Sequence, residues 1–166
     1  LALLVRFQPV ATDMRRVLST MKLGGNLERI ADQSTSIARR ARKLNDQPSL
    51  TQISLLGPMF RHAFRMVKES ITAITNERSE LALEIKASDK ELDRMNREIG
   101  ELITREMASS PDQIFLLVHL LFIGGSIERI GDLAKAISED AVFLVEAEDI
   151  RHARLSKNPV AAPPRL

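Results

Sequence analysis

Two carboxylate pairs at helical spacing, Glu28/Asp32 and Glu128/Asp132, sit in matching Glu-Arg-Ile-x-Asp motifs, each led by a Gly-Gly pair. On a helix, residues four apart share one face on adjacent turns, with Cβ atoms about 6 Å apart. Such a pair either grips a hard cation or is neutralised by nearby arginines. The two motifs stand 100 residues apart, and Gly24/Gly124, Gly25/Gly125, Ile37/Ile137, Ala41/Ala141 and Leu44/Leu144 keep that register. Identity extending so far beyond the motif marks an internal repeat.

A third pair, Asp89/Asp93, has the same spacing. If the helix carrying it turns near Ser109 and runs back as the last helix, Asp89 falls beside Glu128, and Asp93 falls opposite Gly125. Four carboxylates then share one patch. Like charges at that density repel, and Arg129, Lys90 or a bound cation would relieve them. Ligation by oxygen alone suits Mg²⁺, Mn²⁺, Ca²⁺ or iron and disfavours zinc and copper. The competing reading is a solvated acidic surface paired with arginines. Gly124-Gly125 fits a close backbone approach at this level.

Four long helices must position these groups. The first runs from about Pro9 to Asn45 with the seam Leu23, Leu27, Ile30, Ser34, Ile37, Ala41 and Leu44. The last repeats that seam as Ile123, Ile127, Ile130, Ala134, Ile137, Ala141 and Leu144. Steps of three and four make a stripe for shallow-angle helix packing. Asn45-Asp46-Gln47-Pro48 reads as a turn. The second helix has the stripe Phe60, Phe64, Val67, Ile71, Ile74, Leu81 and Ile85. Ser88 and Glu91 form a capping-box pattern that opens the third helix, which carries Leu92, Met95, Ile99, Leu102 and Met107. Ser110-Pro111-Asp112-Gln113 opens the last helix with Pro at its first position. Short connections make consecutive helices antiparallel neighbours.

The organisation expected is all-α: an incomplete first repeat over 1–46, a complete antiparallel three-helix repeat over 47–150, and a flexible tail over 151–166. The first helix matches the end of a repeat whose two earlier helices do not precede it, and the chain opens on Leu rather than Met. Those two helices are therefore expected to be missing or replaced by a partner chain, and the fragment to self-associate.

Composition supports the helical reading: 44% apolar and 28% charged, with aromatics at 4% and no Trp, Tyr or Cys. The lack of cysteine excludes a disulfide framework, a thiolate metal site and a cysteine nucleophile. Net charge is +2, which with so few aromatic rings gives no case for nucleic acid. The apolar run Ile114–Gly125 is short of the roughly 18 residues of a membrane span, and no signal-peptide pattern opens the chain, so a cytoplasmic protein is the expectation. Arg39, Arg40, Arg42 and Lys43 form one basic cluster, which would meet an acidic partner or simply be a solvated helix end. His62, His119 and His152 are scattered, without the Glu-x-x-His of a di-iron oxidase. No hydrolase triad order, phosphate loop or zinc signature appears, so an enzyme is not expected.

These residues resemble the PhoU family of phosphate-signalling regulators. The stretch beginning Gln8-Pro9-Val10 and leading into Leu27-Glu-Arg-Ile-Ala-Asp32 is similar to the family's third helix. Asp89-Lys-Glu-Leu-Asp93, continuing to Ile99, is similar to its fifth, and Ile127-Glu-Arg-Ile-Gly-Asp132 to its sixth. The sequence departs from the pattern in having Ser36 and Ala136 where the family often has Asn, and Ala31 where it has Gly. The resemblance implies two repeats of a three-helix bundle, with metal ligands at Glu28, Asp32, Glu128 and Asp132 and, through the fifth helix, at Asp89 and Asp93. The ion is left open among iron, manganese, magnesium and zinc. It further implies a non-catalytic negative regulator of phosphate uptake and of the phosphate-starvation response. As expected partners it gives the phosphate ABC transporter's ATPase, the phosphate-sensor histidine kinase and a second copy of the chain, with membrane contact only through these. Two other readings are a carboxylate-bridged metal enzyme or storage protein, and a cytoplasmic PhoU-like domain of a sodium–phosphate cotransporter.

Overall fold

The computed structural model describes residues 11–45 and 51–150. Four helices in chain order, α1 (Ala11–Asn45), α2 (Ile53–Thr75), α3 (Leu81–Ser109) and α4 (Ile114–Glu146), are joined by turns, with a 3₁₀ turn at Pro111–Gln113 before α4. The expected turn after Asn45, the segment before Ala11 and the tail 151–166 lie outside the described residues.

The architecture follows from α4. All seven members of its expected seam, Ile123 through Leu144, are buried. Leu117, Leu120 and Val142 are buried too, because α4 packs against α1, α2 and α3 at once. A helix walled on several sides must be apolar nearly all round. For that reason the segment Pro111–Glu146 is, by length and a mean hydropathy of 1.7 over its best window, apolar enough to cross a membrane. The run Ile114–Gly125 alone understates it. More than half of that window is buried against the other helices, as befits the central helix of a bundle. Helices α2, α3 and α4 pack mutually as a three-helix unit, with Met59, Met66, Ile85, Leu92, Ile103 and Leu117 fully enclosed. Each such side chain contributes about 1.5–3 kcal/mol.

Two boundaries differ from the expectation. Helix α2 ends at Thr75 and α3 begins at Leu81, so Leu81 and Ile85 belong to α3 and Ser88 is mid-helix rather than a cap. The break is a Schellman-type ending: Glu77 takes the left-handed conformation (φ 53°), and the Arg78 N–H donates to the Ala73 carbonyl at 2.8 Å. Glycine usually holds that position, and Glu77 gives no such signal. The buried face of α2 is also rotated by one position, to Leu56, Met59, Ala63, Met66, Ser70, Ala73 and Ile74. Phe60 and Phe64, expected inside, are half or more exposed.

On α1, Leu23, Ile30, Ile37 and Leu44 meet the core as expected, but Leu27, Ser34 and Ala41 are exposed. This helix packs on α4 and makes no comparable contact with α2 or α3. The pair is antiparallel and pinned near its ends: Lys22 Nζ donates to Asp140 at 2.9 Å, Arg15 Nε to the Leu144 carbonyl at 3.3 Å, and Arg40 to His119 at 3.4 Å.

A carboxylate cluster across α3 and α4

The stripe that α3 turns toward α4 is Ala82, Ile85, Asp89, Leu92, Asn96, Ile99 and Ile103, in steps of three and four. Two polar residues thus occupy positions where the heptad calls for apolar ones. Asp89 is 4% exposed, and its carboxylate receives Lys135 Nζ from α4 at 2.5 Å. Its Oδ1 is buried with no donor. Asn96 Nδ2 donates to Glu128 Oε2 at 2.7 Å. Both bonds are centred on Asp112, so the hairpin turns on the 3₁₀ segment rather than at Ser109. Ser110 donates its hydroxyl to Glu106 and extends the turn instead of capping α4.

That shift re-pairs the acids. Glu128 feels Asp93 more strongly than Asp89, whereas Asp132 feels Asp89 more strongly than Asp93. The expected neighbours, Asp89 with Glu128 and Asp93 with Gly125, are each moved along by several residues. Convergence survives: burial first, then the adjoining carboxylates, pushes both Glu128 and Asp132 above the ordinary carboxylate range. The Asn96 bond pulls Glu128 back only in part, as Lys135 and Arg129 do for Asp132. Lys135 is raised as well: burial opposes its charge, and the bond to Asp89 with the charges of Asp89, Asp132 and Glu139 outweighs that.

Glycines set how closely the helices approach here. A Cβ on Gly131 would come within 2.2 Å of Leu92 Cδ2, and one on Gly124 within 2.8 Å of Asn96 Oδ1. Gly125 has open space around it, so the expected close approach belongs to Gly124 and Gly131. Position 31 of the first repeat is exposed, which is why Ala31 is accommodated where Gly131 is required.

The first pair is placed differently. Glu28 and Asp32 are both exposed on α1, and neither forms a hydrogen bond or ion pair with α3 or α4 among the described residues. Of the six expected site residues, the structure gathers Asp89, Asp93, Glu128 and Asp132. It leaves Glu28 and Asp32 apart. Sequence reading missed Lys135 and Asn96, though each lies three residues beyond an acid of the cluster, Asp132 and Asp93, and so on the same helix face, from which it bonds an acid of the facing helix. Lys90 and Arg129, expected to neutralise the acids, form no ion pair among the described residues.

The donor set is chemically suited to a hard cation: acidic oxygens in excess of local cations, two of them resisting ionisation, and one buried oxygen with no partner. Among the described residues, no three acidic or histidine side chains stand in a ready coordinating arrangement.

An all-helical bundle built on a central apolar helix, with a carboxylate cluster across one helix pair, is the class that fold and site define. Residues 1–41 and 56–141 match the PhoU domain, and the chain belongs to the PhoU family. It is 34% identical over 160 residues to a phosphate-specific transport system accessory protein PhoU homolog of Pseudomonas putida, covering 93% of this chain and 61% of that one. It is 32% identical to the homolog of Pseudomonas aeruginosa, covering 93% and 64%. The crystal structure of PhoU from Pseudomonas aeruginosa superimposes with a TM-score of 0.85 at 30% identity, covering 89% of this chain and 71% of that one. The chain spans about three-fifths of the length of the first curated relatives it matches.

Proposed function

We propose that this protein is a non-catalytic regulator of phosphate homeostasis, acting in the cytoplasm as a homodimer. It damps phosphate uptake and the phosphate-starvation response through the ATPase of the phosphate ABC transporter and the phosphate-sensor histidine kinase. The observation that carries this reading is similarity over about nine-tenths of the chain to relatives named as accessory proteins of phosphate-specific transport. In this reading the residues before Asn45 are the closing part of a first repeat, and α2–α4 are a whole second one.

Asp89, Asp93, Glu128 and Asp132 are the residues we assign to a metal ion, with Glu28 and Asp32 a second and sparser pair. A divalent ion or iron bound there would supply positive charge that fixes α3 against α4. The protein's own contribution is to hold four acids within reach of one another. Asp89 and Asn96 anchor them in the seam, and Lys135 neutralises Asp89 in the absence of the ion. Such a surface regulates a partner only by binding two of its states with different affinity.

The test is recovery of partners on the tagged protein from cells grown in ample phosphate and in phosphate starvation. Co-purification of the transporter ATPase or the sensor kinase, lost on starvation, is the expected result. Recovery of neither, with both expressed, would remove the reading.

A further inference from the structure

Arg39, Arg40, Arg42 and Lys43, near the end of α1, cluster on the helix surface together with Asp32, Thr35 and Ser36. Asp32 is the one acid among them. Arg39, Arg42 and Lys43 have no ion pair among the described residues. Arg40 is held in place without an anion. Its guanidinium lies 4.1 Å over the Phe122 ring, its Nη1 donates to His119 Nδ1 at 3.4 Å, and its Nε is buried with no acceptor. His119 adds no negative charge to offset it. Burial, then Lys43 and Arg40, hold that imidazole below its ordinary range, in the neutral form.

The internal repeat supplies a comparison within the same molecule. Arg39 and Arg40 correspond to Glu139 and Asp140. On α4 the Asp140 charge is closed by Lys22, whereas on α1 the opposite charge meets no acid among the described residues. Attraction to the helix dipole accounts for Arg42 and Lys43 in the last turn. It does not reach Arg39 and Arg40, a turn earlier.

We propose that this surface is a binding site for a polyvalent phosphate-type oxyanion, held by Arg39, Arg40 and Lys43 with Ser36 as a further donor. Guanidinium forks match phosphoryl oxygens two at a time. Positions 36, 39, 40 and 43 lie along one helix face spanning roughly 10 Å, which is more than one phosphate fills, so the ligand that fits carries several phosphoryl groups in a row. This inference does not rest on the regulatory reading or on the carboxylate cluster.

The test is calorimetric titration of inorganic tripolyphosphate into the full chain, in buffer stripped of metal ions so that no cation bridges phosphate to carboxylates. The expected result is one saturable site, at least tenfold weaker for orthophosphate, and at least tenfold weaker in Arg39→Gln/Lys43→Gln, since each lost charge-assisted contact is worth about a factor of ten or more. Arg97→Gln/Arg105→Gln, which removes two other exposed cations, is expected to bind as wild type. Circular dichroism confirms that both variants keep their helix content, and Ser36→Ala serves as an independent variant with a smaller loss. Absence of saturable binding, equal loss in the two double variants, or equal affinity for orthophosphate would each overturn the proposal.

Discussion

Lys135 on α4 bonds one oxygen of the buried Asp89 carboxylate on α3, and the other oxygen has no donor among the described residues. An acid set into an apolar seam and only half satisfied costs stability. In the function proposed above, a bound cation would give that oxygen its partner, with the lysine as the resident counter-ion.

Lys135→Ala strips that counter-ion from a carboxylate that is 5% exposed. The metal-free protein is expected to lose about 1–3 kcal/mol. Adding Mn²⁺ or Mg²⁺ should return part of the loss by binding the folded state. Thermal unfolding with and without metal reads both effects, and a deficit indifferent to metal would leave Lys135 purely structural.

Glu128→Gln/Asp132→Asn should stabilise the metal-free protein near neutral pH while abolishing metal uptake. Both groups have folded pKa values raised above their unfolded ones. Their ionisation therefore costs stability as pH rises through the folded values, and the cost is absent below the unfolded values. Because both side chains are largely solvent-screened, the gain is about a few tenths of a kcal/mol each. The gap between variant and wild type should close in acid. Unchanged metal stoichiometry, measured by elemental analysis after dialysis, would return these acids to a solvated surface.

Gly131→Ala and Gly125→Ala should move stability in opposite directions. The first drives a methyl into Leu92, which is fully buried. Overpacking of about 1–3 kcal/mol there exceeds the helix-propensity gain of about 1 kcal/mol. The second meets open space and keeps the gain. Denaturant midpoints of the two variants check this.

Acidification should loosen the contact between α1 and α4 through His119. Its folded pKa lies below the unfolded value because of burial, then Lys43 and Arg40. The stability it contributes is present above the unfolded value and is lost as pH falls through the folded one. Between about pH 7.5 and pH 5, the melting temperature of His119→Gln should fall less than that of wild type. Parallel slopes would exclude this histidine as the source.

The core helix was legible because its pattern is redundant: every position of the Ile123–Leu144 seam is buried. That the acids of α3 come level with those of α4 was legible from their spacing together with an antiparallel turn between the two helices, but which acid faces which was not. Pairing across a hairpin depends on where the turn is centred, and a small displacement of that centre moves each partner by twice as much. The end of α2 went unread because Glu77 holds a conformation normally signalled by glycine. Phe60 and Phe64 read as inward because they head a stripe at helical spacing, and the buried face is that stripe turned by one position. The smaller Ala63 and the flexible methionines Met59 and Met66 are what fit against α4.

Because α1 is seated mainly on α4, with the Arg16–Glu77 ion pair as its tie to the turn between α2 and α3, the molecule has two tiers of cohesion. The α2–α4 hairpins close over short stretches of chain, so they assemble early and open only with the whole fold. The α1 contacts join residues such as Lys22 and Asp140, more than a hundred positions apart. They carry the largest loop-closure entropy and form last. Amide hydrogens along α1 should therefore exchange with solvent through a partial opening that leaves the other three helices protected. The first repeat's motif, Glu28 and Asp32, rides on the segment that comes away.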